Sequence, residues 1–358
     1  MQKERVLVGI SGGVDSALCA NLLKDEGYDV VCAMVKIYDG VQISNVQNSC
    51  YGTDKSKDIE DAKKICEKLG VEFHLIDCTQ DFQELVFDEF KNEYLSGRTP
   101  NPCVMCNSKV KFGAFLERAE AQGIKFDKFA TGHYARIEFD ESSGRYLLMR
   151  GKNEKKDQSY FLYRLTQEKL SKILFPLGGY EKQETRDMAQ EKEIVVAKKP
   201  DSQDFFDGNM AELFDVEPAI GNIVDSNGKI LGQHEGIFNY TIGQRKGLKV
   251  AYSEPLYVLE LNKEKNEVIA GIKSETYFRG LNADDMNWIA FDDLEGEIKA
   301  QCKIRSAGSM LDCTVKKADC GVEVFFDEPQ ASIAPSQAVV FYDNDIVLGG
   351  GTIIAGIK

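Results

Sequence analysis

The chain has 358 residues, a net charge of −14 and 43% hydrophobic residues. That length exceeds one ordinary core and predicts two or three domains, while the acidic balance excludes a general nucleic-acid coat but not a local basic patch. No apolar stretch approaches the length of a transmembrane helix. The ten cysteines lack framework spacing and fit the reduced thiols of a cytoplasmic protein. The start, Met1 to Arg5, runs straight into a strand and leaves no room for a signal peptide.

Arg5-Val6-Leu7-Val8 reads as a strand, and Ala17 to Leu23 as a helix. Between them lies Gly9-Ile10-Ser11-Gly12-Gly13-Val14-Asp15-Ser16. Glycines there let the backbone wrap phosphate oxygens, and a helix N-terminus supplies N–H donors and positive partial charge. Ser11 and Ser16 add hydroxyls, and Asp15 is placed to help hold a metal on the phosphates. Ile59, Ala62, Ile65, Cys66 and Leu69 form one helical stripe ended by Gly70, with a strand at Val71, Phe73 and Leu75. A helix is predicted over about 81–94, and Phe129 to Tyr134 reads as a strand delivering Gly132-His133 to a sheet edge. Residues 160–195 read as mostly helical, with Leu162, Leu165, Leu170, Ile173 and Leu174 in the core. Such alternation predicts an α/β fold: a parallel sheet with helices on both faces and a ligand crevice at the strand C-termini.

After about Pro200 the texture changes to short strands and turns, with Asp225-Ser226-Asn227-Gly228 as a hairpin signal. Val322 to Phe326, Ala338 to Tyr342 and Ile346 to Gly351 read as strands of a small antiparallel barrel. The predicted division is 1–202 for the nucleotide domain with a helical RNA-contacting part at about 155–200, 203–275 for a small mainly-β central domain, and 276–358 for the barrel.

Ser11 to Ser16 resembles the PP-loop of ATP pyrophosphatases. With it stand Gly97-Arg98-Thr99-Pro100-Asn101-Pro102-Cys103-Val104-Met105-Cys106-Asn107, Ala130 to Arg136, Lys156-Asp157-Gln158-Ser159-Tyr160-Phe161-Leu162, Thr241 to Leu248 and Pro335 to Tyr342. In that order, over nearly the whole length, the chain resembles the tRNA-specific 2-thiouridylases (MnmA-type). The resemblance implies that ATP, with Mg²⁺, adenylates the C2 oxygen of a wobble uridine, and that sulfur replaces it to give 2-thiouridine. It implies an ATP site at Gly9, Ile10, Ser11, Gly12, Gly13, Val14, Asp15, Ser16 and Met34, with Gly132 opposite. It places Asn101, Pro102, Cys103, His133 and Gln337 near the target base, and Lys156, Asp157 and Gln158 on the tRNA.

The family pattern also implies two catalytic cysteines. Cys106 holds the first position, where the usual aspartate three residues earlier has become Cys103. The second is absent: Asp201-Ser202-Gln203-Asp204-Phe205 is followed by Phe206. One reading makes Cys103 and Cys106 a persulfide pair. Another makes them, with Cys50, three thiolate ligands of a [4Fe–4S] cluster that leaves one iron open to sulfide. The sulfur donor is accordingly sulfide or a relay protein. Cys19, Cys32, Cys66 and Cys78 read as core residues, Cys313 and Cys320 as possible cross-strand neighbours, and His74 and His234 as ordinary histidines.

Lys109, Lys111, Lys155, Lys156, Lys198, Lys199, Arg245, Lys246, Lys303 and Arg305 give basic points for phosphates, and Tyr160, Phe161 or Tyr240 a ring for a sugar or base. Arg305 is followed by Ser306-Ala307 where relatives carry further basic residues, so a different RNA target stays open. The same residues would also suit an ATP- and RNA-binding paralogue without thiolation, or an enzyme adenylating a small molecule.

Overall fold

The structure is a computed structural model and describes residues 3–40, 43, 46, 49–197, 199, 205–206 and 208–358. Lys198 and the Asp201-Ser202-Gln203-Asp204 stretch lie outside the described residues. Two compact units are present: Met1–Val86 with Cys103–Asp207 and Asp345–Val347, and Phe87–Pro102 with Gly208–Asn344 and Leu348–Lys358.

The first unit holds strands β1 (Arg5–Gly9), β2 (Asp29–Lys36), β3 (Phe73–Asp77), β4 (Lys128–Thr131), β5 (Ala135–Asp140), β6 (Arg145–Arg150) and β7 (Ile173–Leu174), and helices α1 (Val14–Asp25), α2 (Ser56–Leu69) and α3 (Lys182–Glu191). Five strands form a parallel sheet in the order β3-β2-β1-β4-β7. Val6, Leu7 and Val8 are fully buried, as a central strand covered on both faces requires. Gly9 pairs with both Ala33 of β2 and Thr131 of β4. The Ser11–Ser16 loop therefore leaves the sheet at its carboxyl edge, where ligands bind in such folds. The α2 stripe buries Ala62, Ile65 and Cys66, and the helix stops at Gly70 in a left-handed conformation.

The fold corrects the helical reading of residues 160–195 and adds a hairpin. Residues 160–195 are not mostly helical: a short 3₁₀ turn (Ser159–Leu162) and a one-turn helix (Gln167–Leu170) lead into β7, and only α3 is a full helix. Ile173-Leu174 gains more by pairing with Phe129-Ala130 than by continuing a helix toward Pro176. Leu162, Leu165, Leu170 and Ile173 are nonetheless buried, as expected. The β5–β6 hairpin went unread, although Asp140 caps its turn by accepting from the amides of Ser142 and Ser143, with Gly144 at positive φ.

The second unit carries a small sheet and a barrel. Strands β8 (Gly221–Val224), β9 (Ile230–His234), β10 (Tyr257–Asn262) and β11 (Glu267–Gly271) lie in the order β10-β11-β8-β9. The predicted hairpin joins β8 to β9, with the Asp225 carboxylate accepting from the amides of Asn227 and Lys229 at 2.9 Å each. Strands β12 (Tyr277–Trp288), β13 (Glu297–Lys303), β14 (Leu311–Lys317), β15 (Val322–Ala331), β16 (Ala338–Asp343) and β17 (Ile346–Ile357) follow in the order β12-β15-β14-β13-β16-β17, and β12 pairs with β17 to close the antiparallel barrel. Cys313 does not neighbour Cys320: Ala300 faces Cys313 and Leu311 faces Cys302, which sets the Cys302 and Cys313 thiols together on the barrel interior while Cys320 stays exposed.

Candidate nucleotide and sulfur site

Gly13 caps α1 with extended backbone and offers no side-chain bond, so the first-turn N–H groups face outward at the carboxyl edge. The loop is fixed internally: the Ser11 amide donates to Ser16 Oγ at 3.0 Å, the two hydroxyls lie 3.1 Å apart, and Ser16 Oγ donates to the Gly13 carbonyl. Gly12 sits at φ +71°, where a Cβ would stand 2.4 Å from the Asp58 carbonyl oxygen. The same carbonyl region is clamped from outside by Lys199, whose Nζ reaches the Gly12 oxygen (3.0 Å), Asp58 (2.7 Å) and Asp61 (2.7 Å). A Cβ on Gly132 would stand 2.8 Å from the Asp15 carbonyl carbon and 2.9 Å from the Ser16 nitrogen. Only glycine lets the end of β4 come this close to the loop. Met34 is buried in β2.

Asp15 is already engaged. Lys182 Nζ meets its two oxygens at 2.7 and 2.8 Å, and the Tyr134 hydroxyl donates to Oδ1 at 2.9 Å. Both oxygens of its carboxylate are thereby partnered. Lys182 is a residue that sequence reasoning missed, because no local motif marks it.

Cys103 and Cys106 lie on one helical face: Pro102–Met105 makes an α-turn that continues as a π-helical stretch, Cys106–Ala114, before a kink at Phe112 and Gly113. The wider π turn brings Lys111, five residues on, back over Cys106; such insertions occur often at functional sites. The Lys111 ammonium acts on Cys50, Cys103 and Cys106 alike. Cys106 is 8% exposed, and burial pushes its thiol up to about 11 against the opposing pull of Lys111. Asn107 is buried, and its Oδ1 accepts no hydrogen bond among the described residues. His133 Nδ1 lies 2.7 Å from Thr131 Oγ1, with the ring between Phe112 and Phe175. Burial, helped by Lys111, lowers its pKa to about 3, so the imidazole is neutral.

The residues present do not fit a cluster. Among the described residues no three His, Cys, Asp or Glu side chains converge on a point that could hold a metal ion, and a cation, Lys111, stands among the thiols. Position 206 is closed by an apolar group: Phe206 is 9% exposed, and Phe205 packs on Tyr51 and Phe82.

Several residues expected on RNA turn inward. The Asp157 carboxylate is fully buried and accepts from the amides of Gly151 and Ser159 and the Ser159 hydroxyl. Gln158 Oε1 accepts from the Tyr134 amide. Tyr160 is 1% exposed. In the second unit, Gln337 donates to the Thr99 carbonyl at 2.8 Å, which pins the turn before Asn101-Pro102, and Arg305 donates to the carbonyls of Ile242 and Ser332. Lys156 stays on the surface of its loop, half-buried.

A parallel sheet with a Ser-Gly-Gly-Val-Asp-Ser loop at its carboxyl edge, a thiol pair in the same unit, and two β-modules after it define a PP-loop nucleotide-binding protein. The chain matches the family description "tRNA methyl transferase HUP domain" over residues 4–206, "tRNA methyl transferase PRC-barrel domain" over 214–271 and "Aminomethyltransferase beta-barrel domain" over 278–353. It is 42% identical over 356 residues to the "tRNA-specific 2-thiouridylase MnmA" of Endomicrobium trichonymphae, covering 98% of this chain and 99% of that relative. Against the protein of the same description from Geotalea uraniireducens (strain Rf4) the identity is 45% over 361 residues, covering 98% and 95%. Against that of Clostridioides difficile (strain 630) it is 40% over 358 residues, covering 98% of each. The chain belongs to the tRNA-specific 2-thiouridylase family.

Proposed function

We infer that this chain is an ATP-dependent tRNA uridine 2-sulfurtransferase acting at the wobble position. The observation that carries the reading is the Ser11–Ser16 loop, open at the α1 N-terminus and backed by Gly132, in a chain whose relatives over its full length are 2-thiouridylases. The loop amides and hydroxyls hold the phosphates. The uridine C2 oxygen attacks the α-phosphorus, pyrophosphate leaves, and the O2–adenylate makes AMP a good leaving group at C2. Sulfur adds at C2 and expels AMP.

With the second family cysteine replaced by Phe206, the relay falls to Cys103 and Cys106. One carries the persulfide; the other attacks its inner sulfur, forming a Cys103–Cys106 disulfide and releasing hydrosulfide to C2. A dithiol reductant then resets the pair. No step runs through an iron–sulfur cluster or through magnesium on Asp15. The neutral His133 and the leftover acceptor of Asn107 are placed to hydrogen-bond the base, and Lys156 to meet an RNA phosphate. No helix among the described residues is long and apolar enough to cross a membrane.

The test is incubation with ATP, a persulfide donor, a dithiol and an unmodified tRNA transcript containing U34, followed by nucleoside digestion. 2-Thiouridine that requires both ATP and U34 is expected. ATP and tRNA binding with no thiolated nucleoside would replace this reading by the inactive paralogue.

A further inference from the structure

The thiol pair shares its surroundings with a cation whose charge has no counterpart. Lys111 sits on the π-helical stretch Cys106–Ala114, where a spacing of five residues brings it back over Cys106. Its ammonium acts on the Cys50, Cys103 and Cys106 thiols and on the His133 ring. Among the described residues no carboxylate acts on it, and it makes no hydrogen bond or ion pair.

Lysines with a structural task in this unit reach an acceptor. Lys169 Nζ donates to the Ser108 carbonyl at 3.0 Å and so already pins the same helical stretch, and Lys199 is held by Asp58 and Asp61 at 2.7 Å each. A half-buried ammonium without such a partner gives up hydration and gains no polar contact in return. The resting thiols do not offset that cost, because burial keeps Cys106 protonated near neutral pH. The rings beside the cation are apolar. Phe112 and Phe175 meet edge to face at 6.1 Å between centroids, and the neutral His133 ring lies against them at 5.9 and 5.8 Å. Next to such walls a small, weakly hydrated anion loses little on leaving water, whereas a phosphate loses much. The anion that the thiol relay creates beside Cys106 is hydrosulfide.

We propose that Lys111 holds the hydrosulfide released from the cysteine persulfide until it attacks C2 of the adenylated uridine. This role rests on the thiol relay inferred above and adds a place for the transferred anion. One cysteine, as thiolate, attacks the inner sulfur of the other's persulfide. The Cys103–Cys106 S–S bond forms, the bond to the outer sulfur breaks, and its electron pair leaves as hydrosulfide. That anion stays on the Lys111 ammonium, which keeps its own protons. It then forms the C2–S bond as the C2–O bond to AMP breaks, and its proton ends on N3, which adenylation had deprotonated. Without the cation, hydrosulfide takes up a proton and diffuses away as neutral hydrogen sulfide.

The test is a single turnover of the full chain carrying persulfide, with ATP, a U34-containing tRNA transcript and no added reductant. 2-Thiouridine, free sulfide, pyrophosphate and melting temperature are measured for wild type, Lys111→Met and Lys111→Arg. In the Met variant the ratio of 2-thiouridine to free sulfide is expected to fall about 10–100-fold, the scale of one lost hydrogen bond to a charged group. Pyrophosphate release should be unchanged, and arginine, which is always charged, should restore most of the ratio. A fall smaller than about tenfold would overturn the proposal. So would a fall that arginine does not relieve and that tracks a lowered melting temperature, since that marks a structural lysine. Wild-type protein that releases pyrophosphate yet forms neither 2-thiouridine nor the Cys103–Cys106 disulfide would instead overturn the relay itself.

Discussion

The Tyr51 amide donates to the Phe205 carbonyl at 3.2 Å, with the two rings stacked 5.6 Å apart. This contact lays the segment of Cys50 beside the segment in which the family pattern puts a second cysteine. Phe206 itself packs within 3.4 Å of the space a Cβ on Gly52 would fill. Aromatic packing fills the position of the second family cysteine, and the proposed relay rests on the Cys103/Cys106 pair.

The first expectation follows from that pair. Cys103→Ser and Cys106→Ser should each cut 2-thiouridine formation by at least about 10³-fold, as removal of an obligatory covalent group does. Cys50→Ser should retain most activity. Anaerobically purified protein should be colourless, with less than one iron per chain. A brown protein holding about four irons, lost in Cys103→Ala, would refute the thiol-only relay.

Burial sets the pH behaviour of Cys106. Its thiol is pushed up to about 11, so alkylation by iodoacetamide, followed at this residue by peptide mass spectrometry, should keep rising through pH 9 and 10. A free thiol would level off near its ordinary pKa of about 8.5. Lys111 pulls in the opposite direction, so Lys111→Met should slow alkylation of Cys106 at every pH in that range. An early plateau would show that the thiol is not buried as described.

His133 gives a stability test. Its folded pKa, about 3, lies below the unfolded value, so below pH 6.5 the unfolded chain binds a proton that the folded chain refuses. This group's contribution is full above pH 6.5 and is lost as pH falls from there toward 3. Urea denaturation at pH 7 and pH 5 should show a smaller fall for His133→Gln than for wild type. Equal falls would place the imidazole in water.

Gly132→Ala should damage the nucleotide site directly. The added methyl would meet main-chain atoms of Asp15 and Ser16 below 3.0 Å, which cannot swing aside. Overpacking of this kind costs about 1–3 kcal/mol, and the ATP KM should rise at least tenfold. Gly179→Ala, with nothing within 4 Å of its added carbon, is the control and should leave KM unchanged.

Lys156 and Asp157 are adjacent and should separate cleanly. Lys156→Ala should weaken tRNA binding and flatten the slope of log affinity against log salt by about 0.7–0.9, the value of one phosphate contact. Asp157→Ala leaves the Gly151 and Ser159 amides without their acceptor, and should destabilise the fold by roughly 1–3 kcal/mol. A salt slope unchanged in Lys156→Ala would remove that lysine from the RNA surface.

What could be read without coordinates was local. Ser11 to Ser16 needs only its neighbours to form a strand, a glycine turn and a helix start, and the α2 stripe and the Asp225–Gly228 hairpin are likewise written in consecutive residues. Strand β7 was missed because its two residues become a strand only when Phe129 and Ala130 are beside them.

The same division holds at the site. The sequence by itself determined the nucleotide loop, the thiol pair and the missing cysteine, because each is a question of which residue stands at which short spacing. Only the tertiary structure decided that Asp15 is tied to Lys182, 167 residues away, that Asp157 and Gln158 face inward, and that Cys106 is buried under Lys111. Those facts depend on which side chains the folded backbone brings within a few ångströms, and the free energies of burial and ion pairing act across that space, not along the chain.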